Sequence, residues 1–281
     1  MKQSSTHPPI SRLITSGLTI LAALLQTAAM FFDYEPTNYF RPGAWLPTVA
    51  LVCALLAGVI ETISVLSLKP IQLTGTIFYH RNRFNPSVTG FLLAGILLIF
   101  AKETFFRRAA IVFLLLSALY ALLCGLPRAR KYNNLLTVLG FAPVLACALI
   151  NAYYYFDLSV EMNTPAKICL QSALILIMLC FTGELRFLQN RAMPRTYLLL
   201  HGWARALGAL CAVSLPIAFL CNRFYRVDYA AGALLIFSIV LTQHLQARRL
   251  RWENSRTEEA PVLTQINSDT EGSDRESEDT E

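Results

Sequence analysis

From residue 13 to residue 251 the chain alternates long apolar runs with short polar stretches. The apolar runs fall at about 13–32, 43–66, 87–105, 109–126, 134–156, 166–187, 197–220 and 228–247. A helix rises about 1.5 Å per residue, so roughly twenty residues cross the ~30 Å hydrocarbon core of a bilayer. The runs meet that length, and the pattern predicts an all-α fold, a polytopic integral membrane helix bundle of about eight transmembrane helices. The polar opening, MKQSSTHPPISR, has no obvious cleavage site after the run that follows it, so that run reads as a retained membrane helix rather than a signal peptide. Pro143 and Pro216 lie inside the fifth and seventh runs and are expected to kink them.

The chain divides accordingly into a cytoplasmic N-terminal segment at 1–12, a helical domain at 13–251 and a tail at 252–281. With the N-terminus inside, fourteen Lys and Arg fall on its side of the helices and seven on the other, which favours both ends in the cytoplasm of a plasma or inner membrane. The turn between the third and fourth runs opposes this, because Lys102, Arg107 and Arg108 sit there on the outer side. A hairpin that only dips into the membrane would change the helix count and leave the ends in place. Tyr34, Tyr39 and the triplet Tyr153, Tyr154 and Tyr155 close apolar runs, as interfacial aromatic belts do.

Composition agrees with lipid as the solvent. The 281 residues are 55% hydrophobic and only 15% charged, where soluble domains hold about 25% charged residues. The net charge of +6 hides two opposite parts. The tail from Trp252 onward carries ten acids and two arginines, −8, against +14 for the rest. So acidic and apolar-poor a tail is expected to be disordered and solvated, with a regulatory or partner-binding tail that docks on a basic partner as the alternative. Because the basic residues lie between apolar runs, they read as orientation signals and not as a nucleic-acid footprint. The seven cysteines lie in or at the rim of apolar runs with no ligand spacing, so neither disulfide, metal nor other cofactor is expected.

A short match suggests a 4+4 internal repeat. Phe32-Asp33 and Phe156-Asp157 each end a run and are followed by an acid, an asparagine and a proline (Glu35, Asn38, Pro42; Glu161, Asn163, Pro165). Nineteen residues beyond each proline stands a glutamate, Glu61 and Glu184. Duplicated transporter folds often place their site at the repeat interface.

Ionisable groups at membrane depth are costly and need a partner or water. Four stand out: Glu61, Glu184, His201 and Arg205. His201 and Arg205 share a helix face at spacing i, i+4. Glu184 lies near the end of the sixth run and is expected beside His201 or Arg205, with Glu61 as the competing partner of Arg205. Ala50, Ala54 and Gly58 form a small-residue stripe that lets a neighbouring helix approach Glu61 closely. The four side chains can meet in the cytoplasmic half of the bundle, either as a structural ion pair that fixes helix packing, partly snorkelled to the interface, or as a candidate binding cluster that takes a charged solute or relays a proton. No HExxH, GxSxG, Walker A or dinucleotide fingerprint is present. The expected role is a non-catalytic membrane component (a sensor, a scaffold or a subunit of a complex with other membrane proteins). The alternative is a transporter-like protein that handles a small charged solute or lipid through the polar cluster.

Overall fold

A computed structural model describes residues 10–35, 39–68, 85–126, 129–158, 164–189, 191, 193–223, 226–248 and 250. The acidic tail and several loop residues, Lys69, Arg81, Arg83, Arg128, Glu161 and Asn163 among them, lie outside this set. The described residues form helices and no strand, apart from one isolated bridge between Tyr34 and Phe40. Seven helices are long and apolar enough to cross a membrane: α1 (Ile10–Phe32), α2 (Leu46–Leu66), α4 (Phe105–Cys124), α5 (Asn133–Phe156), α6 (Pro165–Leu188), α7 (Pro194–Leu220) and α8 (Val227–Arg248). The eighth, α3 (Pro86–Ile99), is shorter. The chain is therefore a polytopic membrane protein.

Small residues are prominent among those that face inward. The core holds many alanines, with Ala22, Ala29, Ala50, Ala54, Ala110, Ala146, Ala173 and Ala204 fully covered. Large side chains such as Ile20, Leu24, Phe32, Leu66 and Phe100 point outward. Lipid is as apolar as leucine, so large apolar side chains pack well on either side, and Phe91, Leu114, Phe187 and Ile236 are buried while others face out. Close approach of backbones rewards the small ones.

The alternation of direction follows from contacts at the two ends of the bundle. At one end the start of α7 meets the end of α2, where Arg195 donates to the Leu68 carbonyl. There too Asn133 donates to the Leu188 carbonyl, and Asn85, the N-cap of α3, donates to Ala121 O near the end of α4. At the other end Phe106, near the start of α4, stacks on Phe156, the last residue of α5, at 5.1 Å. α1 begins, and α8 ends, on the first of these faces, here termed the terminal face; the opposite one is the far face.

The α3–α4 hairpin needs correction. α3 stops at Ile99 rather than near 105, and α4 starts at Phe105 rather than near 109. Fourteen residues of helix reach only about 21 Å. Phe100 and Ala101 turn off the end of α3, donating to the Leu97 and Leu98 carbonyls, and a non-helical stretch ending in extended Thr104 leads into α4. Thr104 caps α4 by accepting from Arg107 N, and the Arg107 guanidinium turns back to donate to the Ile99 and Ala101 carbonyls at the open end of α3. Glu103 pairs with Arg108, whose hydrogen bond and charge hold the carboxyl below its ordinary range. Two of the three bases that opposed the orientation signal thus have local structural work.

Both expected prolines interrupt their helices. α5 breaks at Gly140 and α7 at Val213, each three residues ahead of its proline. The ring of a proline cannot donate to the carbonyl four residues back and collides with it, so the ladder fails there. α7 ends in a left-handed Asn222, with Asn222 N donating to Phe219 O and Arg223 N to Ala218 O. That is a Schellman ending with asparagine in place of glycine.

α7 and α8 are the most enclosed spans, 56% buried each, against 28% for α1. α8 is central. It touches α3 through Ser238 and Gly90, α5 through Gly232 and Tyr154, and α7 through Ile236 and Gly208. It meets α6 through Gln243 and Glu184. α1 and α2 pack together against the outside of α7.

Candidate functional site

α2 presents Ala50, Ala54, Gly58 and Glu61 toward α7, all buried. The stripe receives side chains, not bare backbone. Ala50 and Ala54 cluster with Ala22 of α1 and Leu210 of α7. A Cβ on Gly58 would lie 2.7 Å from the Trp203 ring. The reciprocal hole is Gly202, where a Cβ would lie 2.4 Å from Glu61 Cγ. The indole Nε1 of Trp203 donates to Thr62 Oγ1 at 3.1 Å. This interlock sets Glu61 Oε2 3.3 Å from an Arg205 guanidinium nitrogen, with side chains 5% and 15% exposed.

Arg205 therefore takes a counter-ion from α2: its guanidinium pairs with Glu61, the competing partner named from the sequence, and not with Glu184 as first expected, because Glu184 is engaged with Tyr197 and Gln243. Helical phase gives the reason. Tyr197, His201 and Arg205 are spaced by four residues, and such a row drifts around the helix by about 40° per step. It begins facing α6 and α8 at Tyr197 and ends facing α2 at Arg205. One helix face thus serves two neighbours, and the four-residue cluster separates into two groups.

Glu184 belongs to the second group. Its Oε1 accepts from Tyr197 Oη of α7 and from Gln243 Nε2 of α8, each at 3.3 Å, and the residue is 4% exposed. Tyr197 Oη also lies 3.0 Å from Gln246 Oε1. His201 sits between the groups, buried, its ring 6.0 Å from that of His244 on α8. Beside Glu184 is a cavity of about 30 Å³ at the terminal end of α3, α4, α6 and α8, lined also by Ser87, Thr242, Gln243 and Gln246. That is room for a water or two.

No family model matches the chain, and neither does any curated protein or solved structure.

A third charged group lies at the far face, outside the four-residue cluster read from the sequence, and brings Asp157 and Lys167, from around the loop between the fifth and sixth runs, together with Arg226 and Asp228. Arg226 pairs with both Asp157 and Asp228, the latter through two hydrogen bonds of 3.0 and 2.7 Å. Tyr153 Oη donates to Asp228 Oδ2 at 3.1 Å, and Tyr154 Oη to the Asp228 carbonyl at 2.7 Å. Lys167, fully buried, donates to the Asp157 carbonyl at 2.8 Å, and the guanidinium lies 5.1 Å from the centre of the Tyr229 ring. Burial works against the charge of Arg226, but Asp228 and then Asp157 outweigh it and hold the guanidinium above its ordinary range. Two acids and two bases close this knot between α5, α6 and α8. The aromatic-belt reading of the tyrosine triplet is corrected accordingly, since Tyr153 and Tyr154 face inward and only Tyr155 is exposed. Three successive helical residues span about 200°, so one face of such a triplet must meet a neighbour. The sequence signal was Arg226-Val227-Asp228-Tyr229 at the mouth of α8.

Thr164 is the N-cap residue of α6, but its side chain makes no capping bond; Pro165 in the first turn needs none of its own. The seven thiols are free, and among the described residues no group of three His, Cys, Asp or Glu side chains could hold a metal ion. The two glutamates of the suggested repeat both lie buried near the terminal face and both face α7, one with a cation and one with neutral donors.

Proposed function

We propose that this protein is a non-catalytic multi-pass component of a plasma or inner membrane, a sensor, scaffold or complex subunit whose helical core is held rigid by ion pairs. The observation that carries the reading is the Glu61–Arg205 pair. The arginine deep in α7 is paired with a carboxylate on α2, and Gly58 and Gly202 leave room that the Trp203 ring and the Glu61 side chain fill between the two helices. The cavity beside Glu184 admits water but no organic solute. A solute site needs charges aimed at an open space, and here the charges face each other.

The terminal face is assigned to the cytoplasm on the excess of Lys and Arg there. A reporter active only in the cytoplasm should work when fused after Arg130 or Arg251 and stay silent in the loop near Glu161. Partner capture through the acidic tail is expected to require residues 252–281, and the same proteins co-purifying with and without them would remove the tail from the docking surface. The role of Arg205 separates this reading from solute handling. Arg205→Ala should lower the yield of folded protein in detergent. Normal yield with loss of a solute-linked phenotype would overturn the proposal in favour of transport.

A further inference from the structure

Glu184 differs from every other buried acid described. Glu61 has Arg205, and Asp157 and Asp228 share Arg226. Glu184 is contacted by a phenol and a primary amide. A carboxylate in a low-dielectric interior is stable when a cation or several strong donors compensate it; otherwise neutralisation relieves the cost. Its two donors sit at 3.3 Å, at the long end for hydrogen bonds to a charged oxygen, which are usually about 2.7–2.9 Å.

The donors also run short. Tyr197 has one hydroxyl proton and two acceptors in reach, Glu184 Oε1 at 3.3 Å and Gln246 Oε1 at 3.0 Å. If Tyr197 donates to the nearer Gln246, its oxygen is left to accept, and a protonated Glu184 is the group positioned to donate to it. A second shortage lies alongside. Gln243 is 1% exposed, its Nε2 is used on Glu184, and its Oε1 has no hydrogen-bond partner. Gln243 lines the small cavity together with Glu184, so water entering there could satisfy that oxygen and exchange a proton with the acid.

We infer that Glu184 and the adjoining cavity form a proton-binding site, in which Glu184 is a neutral carboxylic acid that donates to Tyr197 and exchanges its proton with the terminal face through cavity water. The balance is simple. On release the Glu184 O–H bond breaks, its electron pair stays on the carboxylate, and the proton leaves on a cavity water as hydronium; on binding the steps reverse. The titratable groups facing the acid are Tyr197 from α7, Tyr120 and Cys124 from α4 and Cys180 from α6, and the polar groups are Gln243 and Gln246 from α8 and Asn85 and Ser87 at the start of α3. His201 and His244 lie next along α7 and α8. Losing the proton places a negative charge where α6, α7 and α8 meet, so the junction of the three helices is what the site would control. The inference does not depend on the proposed role of the protein.

Infrared spectroscopy of the full chain in nanodiscs tests it, because only a protonated carboxyl gives the carboxylic C=O stretch. The wild-type protein should show that band at neutral pH, shifted by deuterium exchange. Glu184→Gln should lose it and Glu61→Gln should keep it. If Glu184→Gln fails to accumulate, Gln243→Leu serves instead: with one donor removed, the band should move in frequency. A wild-type spectrum without the band, or a band untouched by Glu184→Gln or Gln243→Leu, would overturn the inference. So would sodium, at fixed pH, raising the thermal midpoint of wild type but not of Glu184→Gln, because the site would then hold a metal cation in place of the proton.

Discussion

Replacing Glu61 by glutamine keeps the shape that fills the Gly202 hole and removes the charge that faces Arg205. The two side chains are 5% and 15% exposed and 3.3 Å apart. At an effective dielectric of about 20, two unit charges at that separation attract by about 5 kcal/mol. Desolvation of both groups takes back much of this. What remains measurable is the penalty of stranding one partner, about 3–5 kcal/mol for a buried pair, and a coupling of about 1–3 kcal/mol between neighbours. Glu61→Gln and Arg205→Met should each lower stability by the larger figure, a factor of more than a hundred in the folded-to-unfolded ratio. The double variant should recover the coupling. The assay is at hand in Trp203, whose indole donates to Thr62 one residue from Glu61. In a background with Trp45 and Trp252 changed to phenylalanine, its fluorescence reports α2 leaving α7 during unfolding by denaturing detergent. A Glu61→Gln midpoint within about 0.5 kcal/mol of the parent, or a double variant equal to the sum of the singles, would refute the claim that this pair holds the two helices together.

Two other positions give sharp expectations. Gly58→Ala puts a methyl 2.7 Å from a rigid indole ring, and should cost about 1–3 kcal/mol by overpacking, while Gly17→Ala, which meets nothing within 4 Å, should be neutral or slightly stabilising in the same thermal assay. Asp228→Ala removes the acceptor of Arg226 and Tyr153 at the far face and should destabilise by about 3–5 kcal/mol; Asp228→Asn, which keeps the shape and an acceptor oxygen, should recover part of the loss, and equal midpoints for the two variants would show that the charge alone, and neither packing nor the hydrogen bonds, carries the effect.

Helix positions were legible because lipid imposes a length. A run of apolar residues as long as the hydrocarbon core is thick has few alternatives, and α1, α2 and α5–α8 lie within a few residues of where the pattern put them. The exception was the α3–α4 hairpin. Its charged turn was visible, but its boundaries depended on Thr104 capping one helix and Arg107 closing the other, and such caps are local geometry that hydropathy does not encode.

The sequence by itself also determined which side chains were expensive. Glu61, Glu184, His201 and Arg205 could be named because an ionisable group inside an apolar run needs a reason. It could not determine who pairs with whom. Partners depend on the rotation of each helix about its axis and on which helices become neighbours, and periodicity fixes neither when a span is apolar on all sides. Only packing decided that α8 would occupy the centre, that the row from Tyr197 to Arg205 would turn from α6 to α2, and that Asp157 and Asp228, at the ends of different spans, would close on one arginine. The depth of a charge is written along the chain; its counter-ion is settled by which small residues let two helices come close, as Gly58 and Gly202 do for Glu61 and Arg205.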